Sequence, residues 1–188
     1  MLNISPTLAE FTELARTRRV ISVHTRLLAD HITAIGLYAT LCGAREGTFL
    51  LESASEGVWS RYSFVGVRCA ATLTERGGKA VWLGRELTGI GGGDPLDVLR
   101  QTLAELATPA TEGLPPFHAG MVGYLGYDVV RRLETLPDTC IDDLRLPELV
   151  MMLASQVAVL DHRTHEVHLI VNAINYDGTD EGVERAYH

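Results

Sequence analysis

Phe49-Leu50-Leu51-Glu52-Ser53-Ala54-Ser55-Glu56-Gly57-Val58-Trp59-Ser60-Arg61-Tyr62-Ser63-Phe64-Val65-Gly66-Val67 is the stretch around which the rest of the chain is read. An apolar run, Phe49 to Leu51, ends in Glu52 and Ser53. A polar turn through Ser55, Glu56 and Gly57 follows, and the chain returns through Trp59, Arg61 and Tyr62 into a second apolar run ending at Val67. Two apolar runs joined by such a turn read as a hairpin-like pair of strands. The corner between them carries a carboxylate, hydroxyls, a guanidinium and two aromatic rings, the groups needed to hold a small zwitterion with an aromatic tail. Glu52 can meet an ammonium, and Arg61 can meet a carboxylate through a bidentate pair. Trp59 and Tyr62 can wall a ring, and the Ser53 hydroxyl offers an acceptor to an indole N–H. The competing reading is an ordinary strand end beside a stacked surface arginine. Successive side chains on a regular strand face opposite ways, so Glu52 and Ser53 converge on one ligand only if the strand breaks there.

Toward the N-terminus, Pro6, or Thr7 with Glu10 three residues on, starts a helix. Its stripe is Leu8, Phe11, Leu14 and Ala15. Val20, Ile21 and Val23 read as a strand, and Ile35, Tyr38, Leu41 and Cys42 as a second helical stripe stopped by Gly43. Toward the C-terminus, Ala70 to Glu75 and Lys79 to Leu83 flank Gly77-Gly78, a hairpin signal. The glycine-rich loop from Gly89 to Gly93 leads to Asp94 at an N-cap and Pro95 at the first helical position, before an inner face of Leu96, Leu99, Leu103 and Leu106. Asp94 adds negative charge and Pro95 removes a donor, so this helix start is not a phosphate cradle.

The stretch from about 108 to 118, with Pro109, Gly113, Pro115 and Pro116, is expected as a flexible linker inside a single domain spanning 1–188. In Ala119 to Tyr127, Gly120, Gly123 and Gly126 recur every third residue and signal bulges or close backbone approach. Asp128 is placed to cap a short turn carrying Val129, Val130 and Leu133, with Arg131 and Arg132 outward. Leu149 to Leu160 and Val167 to Ile174 read as a long antiparallel pair around the turn Asp161 to Glu166, although Met151, Met152 and Leu153 also suit a helix. Strands outnumber helices and pair locally. The fold class is therefore α+β, largely antiparallel β-sheets with a few packed helices.

Composition narrows the chemistry. With 46% hydrophobic and 21% charged residues the chain is that of a soluble globular protein. A net charge of −8 argues against a nucleic-acid surface and against docking on an anionic membrane. Cys42, Cys69 and Cys140 are odd in number and widely spaced, which disfavours a disulfide framework or zinc cage and points to the reducing cytoplasm. No apolar run reaches the ~20 residues that span a bilayer, and the start lacks the basic region of a signal peptide. His162, His165 and His168 lie three apart, but strand alternation puts the last two on opposite faces, so a solvated hairpin tip is expected rather than a metal site. No nucleophile, base and orienter assemble, so no catalytic residue, metal ligand or cofactor is assigned to this chain. Thr179 to Glu181 start a helix carrying Val183, Ala186 and Tyr187, and the chain ends at His188 after two turns, as if cut inside a larger protein.

Leu50-Leu51-Glu52-Ser53, then Trp59-Ser60-Arg61-Tyr62-Ser63-Phe64, then Gly120-Met121-Val122-Gly123-Tyr124-Leu125-Gly126-Tyr127-Asp128, in this order and spacing, resemble the N-terminal region of the anthranilate synthase component I family. The resemblance implies antiparallel sheet with helices and a longer enzyme. That enzyme is implied to convert chorismate and ammonia to anthranilate and pyruvate on the tryptophan route. A glutamine amidotransferase subunit is the implied source of ammonia, and Mg2+ and chorismate are implied to bind a C-terminal domain beyond this chain. It further implies L-tryptophan as feedback inhibitor, contacted by Glu52, Ser53, Trp59, Ser60, Arg61 and Tyr62, and a chain that is inactive by itself. Two alternatives stand beside it. One is the large subunit of aminodeoxychorismate synthase on the folate route, which shares the pattern more loosely and often varies at the position of Glu52. The other is a stand-alone amino-acid-binding or interaction module.

Overall fold

The structure, a computed structural model, describes residues 3–52, 60–137, 139 and 141–187, without the side chains of 184, 185 and 187. Ser53 and Trp59 therefore lie outside the described residues. The strands are β1 (Val20–Leu28), β2 (Phe49–Leu51), β3 (Tyr62–Arg76), β4 (Lys79–Gly84), β5 (Gly120–Leu125), β6 (Leu149–Asp161) and β7 (Glu166–Ile174). They form one antiparallel sheet in the order β1-β7-β6-β3-β2, with β4 on β3 and β5 on β6. The helices are α1 (Leu8–Ala15), α2 (Ala34–Cys42), α3 (Pro95–Glu105) and α4 (Asp180–Tyr187), with a 3-10 turn at Tyr127–Arg132. This is the expected α+β class.

The spine is the long pair β3–β6. The runs ending at Val67 and starting at Ala70 are one 15-residue strand rather than two. Register shifts between Gly66 and Ala71 absorb the extra residue, as a bulge does, and Ser155 Oγ donates to the Arg68 carbonyl there at 3.1 Å. The second edge of β6 is shared, with β7 pairing Gln156 to Asp161 and β5 pairing Leu149 to Ala154. At the changeover the buried Asn172 amide donates to the carbonyls of Ala154 (3.3 Å) and His118 (2.9 Å) and accepts from Ser22 Oγ at 2.7 Å.

Near its end β6 is buried on both faces, which explains its continuous apolar run. Val157 and Val159 pack with Phe49 and Ile170, whereas Ala158 and Leu160 pack with Leu37, Val65 and Val167. Met151 to Leu153 are strand, so the helical option is not taken.

α1 carries the capping box of Thr7 and Glu10, and Phe11 buries against Ile21 and Ala173, although Leu8 is exposed. α2 buries Ala34, Leu37 and Cys42; Ile35, placed in the stripe by spacing, points to solvent. α3 starts as read, with Asp94 accepting from the Leu96 and Asp97 amides. Its buried face is Pro95, Val98, Leu99 and Thr102, whereas Leu103 is exposed. Thr102 can replace a leucine inside because its hydroxyl donates back to the Val98 carbonyl at 2.7 Å. Arg132 also departs from expectation. It turns inward to Asp94 and Glu148, both at 2.7 Å, because these carboxylates meet beside the turn.

Residues 108–118 run without strand or long helix, and their latter part is anchored on the sheet. Pro115 is buried, Leu114 and Phe117 pack on the Phe49–Val157–Ile170 cluster, and Phe117 meets Phe64 edge-on at 5.5 Å. Cys42 and Cys69 are free thiols. No helix among the described residues is long and apolar enough to cross a membrane.

The close approach read from the glycines is real at Gly123, where a Cβ would overlap the Val150 carbonyl of β6. Gly123→Ala is expected to cost about 1–3 kcal/mol by forcing the β5–β6 pair apart. Gly91→Ala, where a Cβ meets nothing within 4 Å, is expected to stay within about 0.5 kcal/mol of wild type. Urea unfolding of the two variants checks this.

Candidate functional site

β2 leaves the ladder at Leu51, which pairs with Phe64, and Glu52 follows it as an exposed residue outside the strand. β2 thus ends at Leu51, and the position of Ser53 relative to Glu52 lies outside the described residues. On the return, Ser60 and Arg61 are half-buried and β3 begins at Tyr62, opposite Asp161, the last residue of β6. Glu52, Ser60, Arg61 and Tyr62 thus flank one corner of the sheet.

Arg61 is held from below. Its Nε donates to both oxygens of Asp161 at 3.0 and 3.2 Å, and its Nη2 donates to Oδ2 at 2.7 Å. The Asp161 side chain is 2% exposed and that of Arg61 38%. The His162 amide donates to the Arg61 carbonyl at 2.9 Å, and the Arg163 amide to Asp161 Oδ1 at 3.0 Å. Burial alone would push the Asp161 carboxyl up. The hydrogen bonds from Arg61 and the Arg163 amide, with the charge of Arg61, outweigh burial and hold it at about 2.

The Arg61 guanidinium also lies 4.8 Å from the centre of the Tyr62 ring. From Tyr62 an aromatic run continues to Phe64 at 6.1 Å and on to Phe117. Ser63 Oγ and His162 Nε2 are 2.7 Å apart, but Ser63 is 1% exposed, so the pair is a structural link and not a nucleophile with its base.

Arg61 is therefore not an open fork awaiting a carboxylate. Two of its nitrogens already serve Asp161, and a ligand would meet an arginine whose position is set. Asp161, Ser63 and His162 were missed as corner residues by sequence reasoning. The available signal was a carboxylate ending a long apolar strand, where only a paired charge is tolerated. The three turn histidines do not converge: His162 serves Ser63, His165 sits in the left-handed region at φ 54° and His168 is buried. Among the described residues no group of three His, Cys, Asp or Glu is placed to hold a metal. A cleft of about 450 Å3 lies elsewhere, between α1, β1 and residues 108–112.

No family model matches the chain. It is 48% identical over 180 residues to anthranilate synthase component 1 of Mycolicibacterium smegmatis, covering 95% of this chain and 34% of the relative. It is 49% identical over 187 residues to that of Arthrobacter globiformis, covering 98% and 35%. The chain is a homologue of anthranilate synthase component I. It spans about a third of the length of these relatives. The crystal structure of anthranilate synthase component I from Streptococcus pneumoniae TIGR4 has the same fold, with a TM-score of 0.52 at 20% identity over 85% of this chain and 34% of that one.

The Arg61–Asp161 pair gives this homologue a defined acid response. A carboxyl held below its ordinary range contributes stability that is complete above about pH 4 and is lost as pH falls toward about 2. Allowing for the partial exposure of Arg61, the contribution is on the order of 1–2 kcal/mol. Asp161→Asn should be less stable than wild type at pH 7, and the gap should close as pH falls from about 4 to about 2. Urea midpoints across that range provide the check.

Proposed function

We propose that this chain is the tryptophan-sensing part of a cytoplasmic anthranilate synthase component I. The whole polypeptide converts chorismate and ammonia to anthranilate and pyruvate, with Mg2+ bound in the remaining part and ammonia drawn from glutamine through an amidotransferase partner subunit. The observation that carries this reading is 48–49% identity across nearly the whole chain to relatives named anthranilate synthase component 1. This chain supplies no catalytic residue and by itself makes no anthranilate.

In this proposal L-tryptophan contacts Glu52, Ser53, Trp59, Ser60, Arg61 and Tyr62. The exposed Glu52 meets the ammonium, and Tyr62 offers a ring already stacked on a cation. Arg61 contributes positive charge for the carboxylate and, through Asp161, keeps the corner in place. A corner at a sheet margin does not enclose an indole, so the second wall comes from the remaining two thirds of the polypeptide. Tryptophan then bridges the two parts and favours the arrangement that handles chorismate poorly, with a coupling of typically about 1–3 kcal/mol.

Ser53 is the sharpest point of attack. Ser53→Phe in the full-length enzyme fills the space of the ligand and should raise the tryptophan concentration for half-inhibition by well over an order of magnitude. Ser53→Ala loses one neutral hydrogen bond, about 0.5–1.5 kcal/mol, and should raise it by roughly two- to tenfold. Initial rates of anthranilate fluorescence against tryptophan concentration measure both. Unchanged inhibition in Ser53→Phe would remove this corner from the inhibitor site.

A further inference from the structure

Two cavities meet where the 108–118 segment leaves α3. The outer one is the cleft of about 450 Å3 between α1, β1 and residues 108–112. The inner one, about 230 Å3, lies between the end of α3 and the sheet. Val20 and Thr108 line both and form the neck between them. The inner cavity sits at the Ile174 end of β7, whereas Glu166 at the other end pairs with Asp161 of the arginine corner. The two places are roughly 26 Å apart along the strand.

The inner recess is apolar, walled by Leu106, Met121, Leu153, Ala154 and Ile174. Most of its polar groups already have partners. Thr102 donates to the Val98 carbonyl at 2.7 Å, Asn172 serves Ala154, His118 and Ser22, and His118 Nδ1 lies 2.9 Å from the Pro115 carbonyl. Thr108 differs. Its hydroxyl oxygen is buried at the neck and has no hydrogen-bond partner among the described residues, an unfavourable state for a buried polar group. The recess has room for a benzene ring, which an apolar cavity of about 150 Å3 already holds.

The outer cleft supplies charge. Arg19 is committed to Glu105 at 2.9 Å and to the carbonyls of Asn175 and Tyr176. Arg18 beside it lines the cleft half-buried, and its side chain has no hydrogen bond or ion pair among the described residues. A half-buried guanidinium without an acid is ready for an incoming anion, and its planar fork suits a carboxylate. Three carboxylates line the same cleft, but two are engaged. Glu10 accepts from the Thr7 amide and hydroxyl, both at 2.8 Å, and Glu13 pairs with Arg16 at 2.8 Å. The third, Glu112, is exposed.

We propose that the joined cavities bind a small carboxylate carrying an apolar body of about the size of one ring. The carboxylate pairs with Arg18 and accepts from the Thr108 hydroxyl, and the body passes the neck to fill the inner recess. One ligand thus gives Arg18 its anion and Thr108 its acceptor while covering apolar walls, the mix of groups that small-molecule sites use. An ammonium head fits less well, because Arg18 would repel it and Glu112 would meet it in water. The site is separate from the tryptophan corner and does not depend on it.

The probe is hydrocinnamate, a benzene ring two methylenes from a carboxylate, titrated calorimetrically into the full-length polypeptide. Saturable binding is expected, with hydrogen exchange slowed in peptides covering 13–24 and 103–121 and unchanged in those covering 60–66. Arg18→Gln should weaken binding on the order of tenfold, and Thr108→Val by roughly two- to tenfold. No binding would overturn the proposal. So would equal binding to wild type and both variants with exchange at 103–121 unchanged, which would place the acid in another site of the polypeptide. Tighter binding of phenylpropylamine, lost in Glu112→Gln, would overturn the carboxylate assignment. The exchange pattern of the unmodified polypeptide decides the matter where a variant fails to fold.

Discussion

β6 must be hydrogen-bonded on both edges along 13 residues while its end is buried on both faces. A buried backbone group left unpaired costs about 1–3 kcal/mol, so the rest of the sheet is arranged to prevent it. β3 supplies one edge along nearly the whole length, which is why it is a single long strand. The other edge is divided, because β7 leaves β6 to finish its pairing with β1 and β5 takes its place. Asn172 closes the joint with its side-chain amide, the bulge in β3 falls opposite it, and Gly123 lets β5 come near enough to pair.

The corner inherits its position from the same strand. Asp161 ends β6 as a carboxylate with almost no access to water, a state that requires a partner. Arg61 is that partner because it immediately precedes Tyr62, whose register places it opposite Asp161. Where β3 starts, and hence where the chain turns back toward Glu52, is thus fixed by satisfying a buried charge. The corner is built by the ladder and needs no separate scaffold.

Local signals were legible in the sequence, and long-range ones were not. The capping box of Thr7 and Glu10, the cap of Asp94 before Pro95, the Gly77-Gly78 hairpin and the β6–β7 pair all depend on residues close in sequence, and all are found. Ile35 and Leu103 were misplaced because periodicity gives a helix's stripe but not its rotation on the sheet. Arg132 read as a surface residue because one of its acceptors, Asp94, lies 38 positions away. Arg61 read as an open fork because Asp161 is 100 positions away and register is invisible before the strands are paired. Resemblance supplied the family where physical reading gave only a class of ligand, and the homologues agree with it. Ser53 and Trp59 lie outside the described residues, so their place in the proposed site rests on resemblance.

The central claim is that the corner is one half of an inhibitor site completed by the rest of the enzyme. Calorimetric titration of L-tryptophan into this chain and, in parallel, into the full-length enzyme tests it most directly. Saturable binding to the full-length enzyme, with weak or no heat from the chain, is the expected result. Equally tight binding to the chain alone would contradict it, because the pocket would then be complete within these 188 residues.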